Sequence, residues 1–235
     1  MKYVIIDSGH NERTAGKRSF DGTLREYKFN LDVSKRLSEI LRKHGIKTMI
    51  LQTEFADSKA DVNGRVNVAN KEKPDIFVSM HANAFGTTWN DANGYEIFCF
   101  GTDKNSEGYK LAEAVHDEVI KAIGLKDRGI KDGKHLGVIR GTNMPAVLNE
   151  FGFYTNKAEL ALMQTDDFRQ KCAEGTAKGI LKYFGMPYIQ KEEKPAVNEY
   201  RQAVKNRFGF EDSTLDYLEA YKYGADLLKK LATKG

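Results

Sequence analysis

A chain of 235 residues, with 37 basic and 33 acidic side chains and a net charge of +4, is long enough for one large domain plus a small one. Hydrophobic residues at 40% and charged residues at 30% are ordinary for a soluble globular protein. The basic excess is too slight to hold a nucleic acid, and no run of about 18 apolar residues exists to span a membrane, although the balance suits an anionic surface such as a cell wall.

The N-terminal MKYVIIDSGH predicts a buried strand over residues 2–6 that breaks off in Asp7, Ser8, Gly9 and His10. Its apolar run is too short for an export signal and lacks a small-residue cleavage site, so synthesis in the cytoplasm is expected. In residues 26–43, Phe29, Val33, Leu37, Ile40 and Leu41 share one helical face, and Gly45 supplies the stop. IKTMIL, residues 46–51, returns as a strand, and a helix over about 60–72 closes before Pro74. DIFVSM, residues 75–80, is the most buried-looking strand, and it too runs into a histidine, His81. GYEIFCF (94–100) is a further strand and 104–123 a long helix. LGVIRG (136–141) and AVLNEFGF (146–153) are strand candidates, the second leading to a helix near 156–163. A last long helix covers 166–184, with Phe168, Cys172, Ile180 and Phe184 roughly on one face. This alternation predicts an α/β fold, a mostly parallel twisted sheet with helices on both faces. Cys99 and Cys172 form no CxxC, and two reduced packing thiols are the preferred reading over a disulfide.

After Pro187 the texture changes. IQKEEKPAVNE (189–199) is charged, carries a proline and lacks an apolar period, which predicts a linker over 189–197 between a domain at 1–188 and a small helical module at 198–235. In that module Val204 and Phe208 precede a turn at Gly209, Glu211–Asp212–Ser213 offers a helix start, and Leu227, Leu228 and Leu231 form a final stripe.

Two predicted parallel strands that each end in a histidine place both imidazoles on the same sheet edge. Alone, either histidine reads as a hydrogen-bonded turn residue; as a pair, His10 and His81 suit zinc, with a third ligand completing a site that keeps one open position. Glu26, at the start of the second element after a loop leaving His10, is a candidate third ligand, and equally an ordinary acidic residue in the first turn of a helix. Glu150, at the end of the apolar PAVLNE, needs a partner: a water activated by zinc, whose proton it takes and later returns to a leaving nitrogen, or a nearby cation such as Arg140.

VIIDSGH, LREYKFN, RVNVANKEKPDIFVSMHANA and MPAVLNEFGFYTN together resemble the zinc-dependent N-acetylmuramoyl-L-alanine amidases of the amidase-3 type over about residues 2–185. The resemblance implies hydrolysis of the amide between the lactyl group of N-acetylmuramic acid and the first alanine of the peptidoglycan stem. It assigns Zn²⁺ as cofactor, His10, Glu26 and His81 as its ligands, and Glu150 as the catalytic glutamate. Arg65 and Asn70 match a motif of structural character, and Asn83 falls in the HAN element beside the metal. Asn11 and Glu12 stand where relatives often carry glycines. His44 reads as a helix C-terminal residue, His116 as a surface helix residue and His135 as a loop residue facing the cleft.

The tail is similar to C-terminal modules of amidase endolysins from phages of Bacillus-like hosts. That likeness implies a wall-binding module, with Tyr217, Tyr221 and Tyr223 available to stack on sugars of a wall polymer or else packed in its core. It also implies an enzyme made in the host cytoplasm and released to peptidoglycan through a separate membrane-permeabilising protein, acting in cell lysis. The competing functions are a zinc endopeptidase of wall peptides and a non-catalytic wall-binding or regulatory protein on the same fold.

Overall fold

Alternation along the first strand sets the architecture. In the computed structural model, which describes residues 1–53, 58–189, 197–220 and 224–233, β1 (Tyr3–Ser8) sends Val4 and Ile6 into one core cluster and Ile5 into another. A strand buried on both faces needs helices on both. Around it come α1 (Glu26–Lys43), β2 (Lys47–Leu51), α2 (Ser58–Glu72), β3 (Ile76–Asn83), β4 (Tyr95–Cys99), α3 (Glu107–Ile123), β5 (Asp127–Asp132), α4 (Gly137–Gly141), β6 (Ala146–Phe153), α5 (Lys157–Met163) and α6 (Asp166–Tyr183). The sheet order is β2-β1-β3-β6-β4-β5, parallel throughout except where β4 runs antiparallel to β6.

The larger core lies between Val4, Ile6, Val78 and Phe151 of the sheet and Phe29, Val33, Leu37, Val115, Phe168 and Ile180 of the helices α1, α3 and α6. Helices α3 and α6 come close because Gly175 and Gly179 of α6 face α3: a Cβ at 179 would lie 2.4 Å from the Cα of Val115. The smaller core seals the other face, where Ile5, Phe77 and Leu148 meet Ala69 of α2 and Val138 and Ile139 of α4.

The structure departs from the sequence reading at three points. LGVIRG is not a strand: residues 137–141 form α4, and Gly137 and Gly141 seat against Val62 and Val66 of α2, where added Cβ atoms would come within 2.5 and 2.9 Å of valine methyls. A short apolar run does not distinguish strand from buried helix, and the glycine spacing of four is what lets the two helices touch. The polar DRGIKD, unassigned from sequence, is the edge strand β5, largely exposed and so without an apolar run. The third concerns His116, which is buried, not superficial: its Nε2 lies 2.8 Å from Asp127 Oδ1 of β5 and its ring stacks on Tyr95 at 5.7 Å. Cys99 and Cys172 are free and buried.

The chain packs as two units, Met1–Tyr188 and Ile189–Gly235. In the second, α7 (Val197–Phe208), α8 (Asp212–Ala220) and α9 (Gly224–Thr233) enclose Tyr200, Val204, Leu215 and Leu228. Arg201 ties α7 to α8 through Asp212, Asp216 and Glu219. Tyr217 is 79% exposed, so it does not pack in that core; Tyr221, Tyr223 and most of the expected linker fall outside the described residues. No described helix is long and apolar enough to cross a membrane.

Candidate metal centre

The parallel pairing of β1 with β3 brings the two histidine-bearing segments side by side, and Gly9 N–H donates to the Met80 carbonyl at 3.1 Å. Position 9 has no room for a side chain, because a Cβ there would lie 2.2 Å from Cε1 and Nε2 of His81. His10 then turns out of the strand with φ +59°, a conformation that costs a non-glycine residue energy and needs support. Arg65 of α2 supplies it. Its guanidinium donates to the carbonyls of Ser8 at 2.7 Å and His10 at 2.9 Å, while pairing with Asp7 and with Asp61 at 3.2 Å. Ser79 donates to Asp7 at 2.6 Å and Asn11 to Asp61 at 3.3 Å, so the whole cluster is buried and paired.

Glu26 opens α1 from beneath this loop, its backbone N–H donating to Lys17 O at 3.0 Å. Its Oε1 lies 3.3 Å from His10 Nε2 and 3.0 Å from His81 Nδ1, and it accepts from the Ala82 N–H at 3.3 Å. Asn30, one turn on, donates to the Gly9 carbonyl at 2.9 Å and fixes the helix end to the loop. Burial alone would raise the Glu26 pKa, but hydrogen bonds from both imidazoles overcome it and hold the carboxylate ionised. Burial lowers the His10 pKa against the opposing pull of Glu26, leaving a neutral ring with a free lone pair.

His10, Glu26 and His81 offer one donor atom each, all within 4.8 Å of one another, and among the described residues no other group of three or more such donors was found. Two imidazoles and a carboxylate are a zinc donor set, and tetrahedral bonds of the usual length space such donors by roughly 3.3 Å. The residues fit the ion.

Glu150 faces the same place. On β6 it is in register with His81 of β3 on one side and Glu96 of β4 on the other, so all three side chains leave one face of the sheet. Its Oε2 is sealed from solvent without a hydrogen-bond partner. The proposed cation Arg140 is occupied elsewhere, on the carbonyls of Lys134 and His135. Burial first, then the carboxylate of Glu26, push the Glu150 pKa well above the ordinary range; Lys17 opposes and Glu96 adds a little. Glu96, buried, is held by Asn83 Nδ2 at 2.8 Å and Arg128 Nε at 3.0 Å. Beside the histidines opens a cleft of about 520 Å³ lined by Thr14, Lys17, Val62, Leu136 and Val138.

The four residues singled out from sequence therefore converge. His135 does not join them; its ring sits edge-on to Phe98. Asn70 bonds the Gly141 carbonyl and the Asn143 N–H, tying α2 to the end of α4. Glu96 and Arg128 were missed, since Arg128 lies on the unseen β5, while Arg65 shapes the His10 loop more directly than its motif suggested.

The family profile described as N-acetylmuramoyl-L-alanine amidase (Amidase_3) matches residues 4–182. The chain is 32% identical over 213 residues to an endolysin of Bacillus phage SPP1, covering 86% of this chain and 76% of that one. It is 29% identical over 181 residues to the N-acetylmuramoyl-L-alanine amidase LytC of Bacillus subtilis (strain 168), covering 77% of this chain but only 35% of the longer relative. Among solved structures, the catalytic domain of the N-acetylmuramoyl-L-alanine amidase CwlV from Bacillus (Paenibacillus) polymyxa var. colistinus superposes with a TM-score of 0.70 at 33% identity, over 80% of this chain and 100% of that one.

Proposed function

The chain belongs to the Amidase_3 family of N-acetylmuramoyl-L-alanine amidases, enzymes of peptidoglycan, and from that premise we propose that it cuts the lactyl–L-alanine amide with zinc held by His10, Glu26 and His81 and with Glu150 as general base and acid. The observation that carries the reading is the buried, partnerless Oε2 of Glu150, in register with His81 beside a three-donor cluster. When bound, zinc supplies Lewis-acid polarisation of the carbonyl and eases the deprotonation of water.

Glu150 takes a proton from the attacking water as its oxygen bonds the lactyl carbonyl carbon. It then delivers that proton to the alanine nitrogen as the carbon–nitrogen bond breaks, leaving a lactyl carboxyl group and a free amine, which at neutral pH stand as carboxylate and ammonium. Burial and the neighbouring Glu26 raise its proton affinity in the metal-free site, and a dication held beside it would draw it back toward the carboxylate form that the first step needs. Glu26 stays ionised as the anionic member of the donor set, and Arg65 keeps the His10 backbone in place.

Similarity to the SPP1 endolysin supports a lytic role against a Bacillus-like host wall, reached through a separate membrane-permeabilising protein. The second unit, with its own small core and the exposed Tyr217, is proposed to hold the enzyme on a wall polymer and so raise its local substrate concentration. The test is loss of wall-clearing activity on chelation and its recovery with stoichiometric Zn²⁺. Full activity in the metal-free protein would overturn the reading.

A further inference from the structure

We propose that Phe20 and Trp89 form a subsite for a sugar ring of the glycan strand that carries the scissile amide; the inference rests on the amidase reading above. The two residues come from the two loops that flank the metal centre. Lys17, three positions before Phe20, lines the cleft together with His10 and His81, and Thr155, which holds the Trp89 loop, follows Tyr154, whose N–H donates at 2.9 Å to the carbonyl of Asn83, two positions after His81.

Both loops are built frames. Around Phe20 the chain makes a hairpin closed by the Arg18–Arg25 bridge and the Ser19 N–H to Leu24 O bond. Asp21 accepts from Ser19 Oγ at 2.6 Å and from Thr23 N and Oγ1, and Leu24 anchors the hairpin in the core. Around Trp89, Asn90 donates to the carbonyls of Phe85 and Thr88 at 2.6 and 2.8 Å. Thr155 accepts the Phe85 N–H through its hydroxyl and the Asn90 N–H through its carbonyl, which fastens the loop to the end of β6.

On these frames Phe20 meets Trp89 edge to face at 5.3 Å, yet keeps 43% of its surface exposed. Trp89 is half-buried against the main core, with the Lys157 ammonium 5.6 Å from its ring centre. Phe85, on the same loop, is 65% exposed. Water-facing aromatic rings held rigidly bring little to folding, but they offer flat faces prepaid in conformational entropy. The axial C–H bonds of a pyranose pack on such faces, and its hydroxyls stay in water. A stem peptide offers no comparable flat ring, whereas every unit of the glycan does.

Trp89 is the chain's one tryptophan, so its emission, excited to the red of the tyrosines, reports this position alone. The probe is a soluble, peptide-free oligosaccharide of alternating N-acetylglucosamine and N-acetylmuramic acid. It should change Trp89 emission saturably, with Phe20→Ala weakening binding about fivefold to tenfold and Phe20→Tyr keeping it. Hydrolysis is measured in parallel on glycan-linked muropeptide and on a muramoyl-peptide with no neighbouring sugar. Phe20→Ala should raise KM for the first with kcat unchanged and leave the second untouched. An emission silent to the oligosaccharide, or equal effects on both substrates, in a protein that does cleave them, overturns the subsite alone. A wild-type protein that cleaves neither substrate overturns the amidase reading, and the subsite with it.

Discussion

Replacing Gly9 by alanine adds one methyl group, and the structure says where it goes. The new Cβ would lie 2.2 Å from Cε1 and Nε2 of His81 and 2.7 Å from Cδ2. Ordinary carbon contacts begin near ~3.5 Å, so the imidazole must retreat by about 1.3 Å. Metal sites tolerate errors of only about 0.2 Å in ligand position, so a ring moved that far stops being a ligand. The expected loss is on the order of 10²-fold in zinc affinity, about 3 kcal/mol. Gly9 itself has a backbone outside the left-handed region, and the strand pairing of β1 is untouched, so the fold should persist. Zinc affinity would be measured by competition with a chromogenic chelator and the fold by circular dichroism. Gly108→Ala is the control, since its Cβ would meet its nearest neighbours at an ordinary 4.0 Å. A Gly9→Ala protein that binds zinc as tightly as the wild type would refute the assignment of His81.

Substituting Glu150 by glutamine keeps the shape and removes the base, so turnover on wall fragments should fall by on the order of 10²–10⁴ with zinc content unchanged; loss of zinc would instead make Glu150 a ligand. Arg65→Met leaves Asp7 and Asp61 buried without their cation, and urea unfolding of the chelated protein should show a loss of about 3–5 kcal/mol. A change under about 1 kcal/mol there would mean the cluster does not hold the His10 loop. Burial pushes the Cys99 thiol up to about 11 and Cys172 well above its usual value, so thiol reagents at about pH 8 should modify neither in the native protein and both in denaturant. Rapid labelling of the native state would contradict that burial.

His10 and His81 were legible because parallel strands share a carboxyl edge, and β1 and β3 are indeed neighbours. Glu26 was ambiguous because an acidic first-turn residue is common whether or not a metal is near, and only the 3.0 and 3.3 Å approaches of the imidazoles separate the two cases. Glu150 stood out as a carboxylate closing an apolar run, and the register with His81 explains it. What stayed hidden depended on β5. A polar edge strand carries no apolar signal, and without it neither the Arg128–Glu96 pair nor the burial of His116 against Asp127 could be inferred. The helix α4 was misread because five residues do not show a period, while its glycines make sense only against Val62 and Val66.

The bond that is cut tests the account most directly. Purified wall digested by the zinc-loaded protein would be separated and its fragments identified by mass spectrometry, with free amino termini labelled. The account predicts new amino termini on L-alanine alone, intact stem peptides and glycan strands whose lactyl groups end in free carboxylates. New termini inside the stems, with lactyl–alanine amides left whole, would turn the three proposed ligands and Glu150 to an endopeptidase and contradict the assignment.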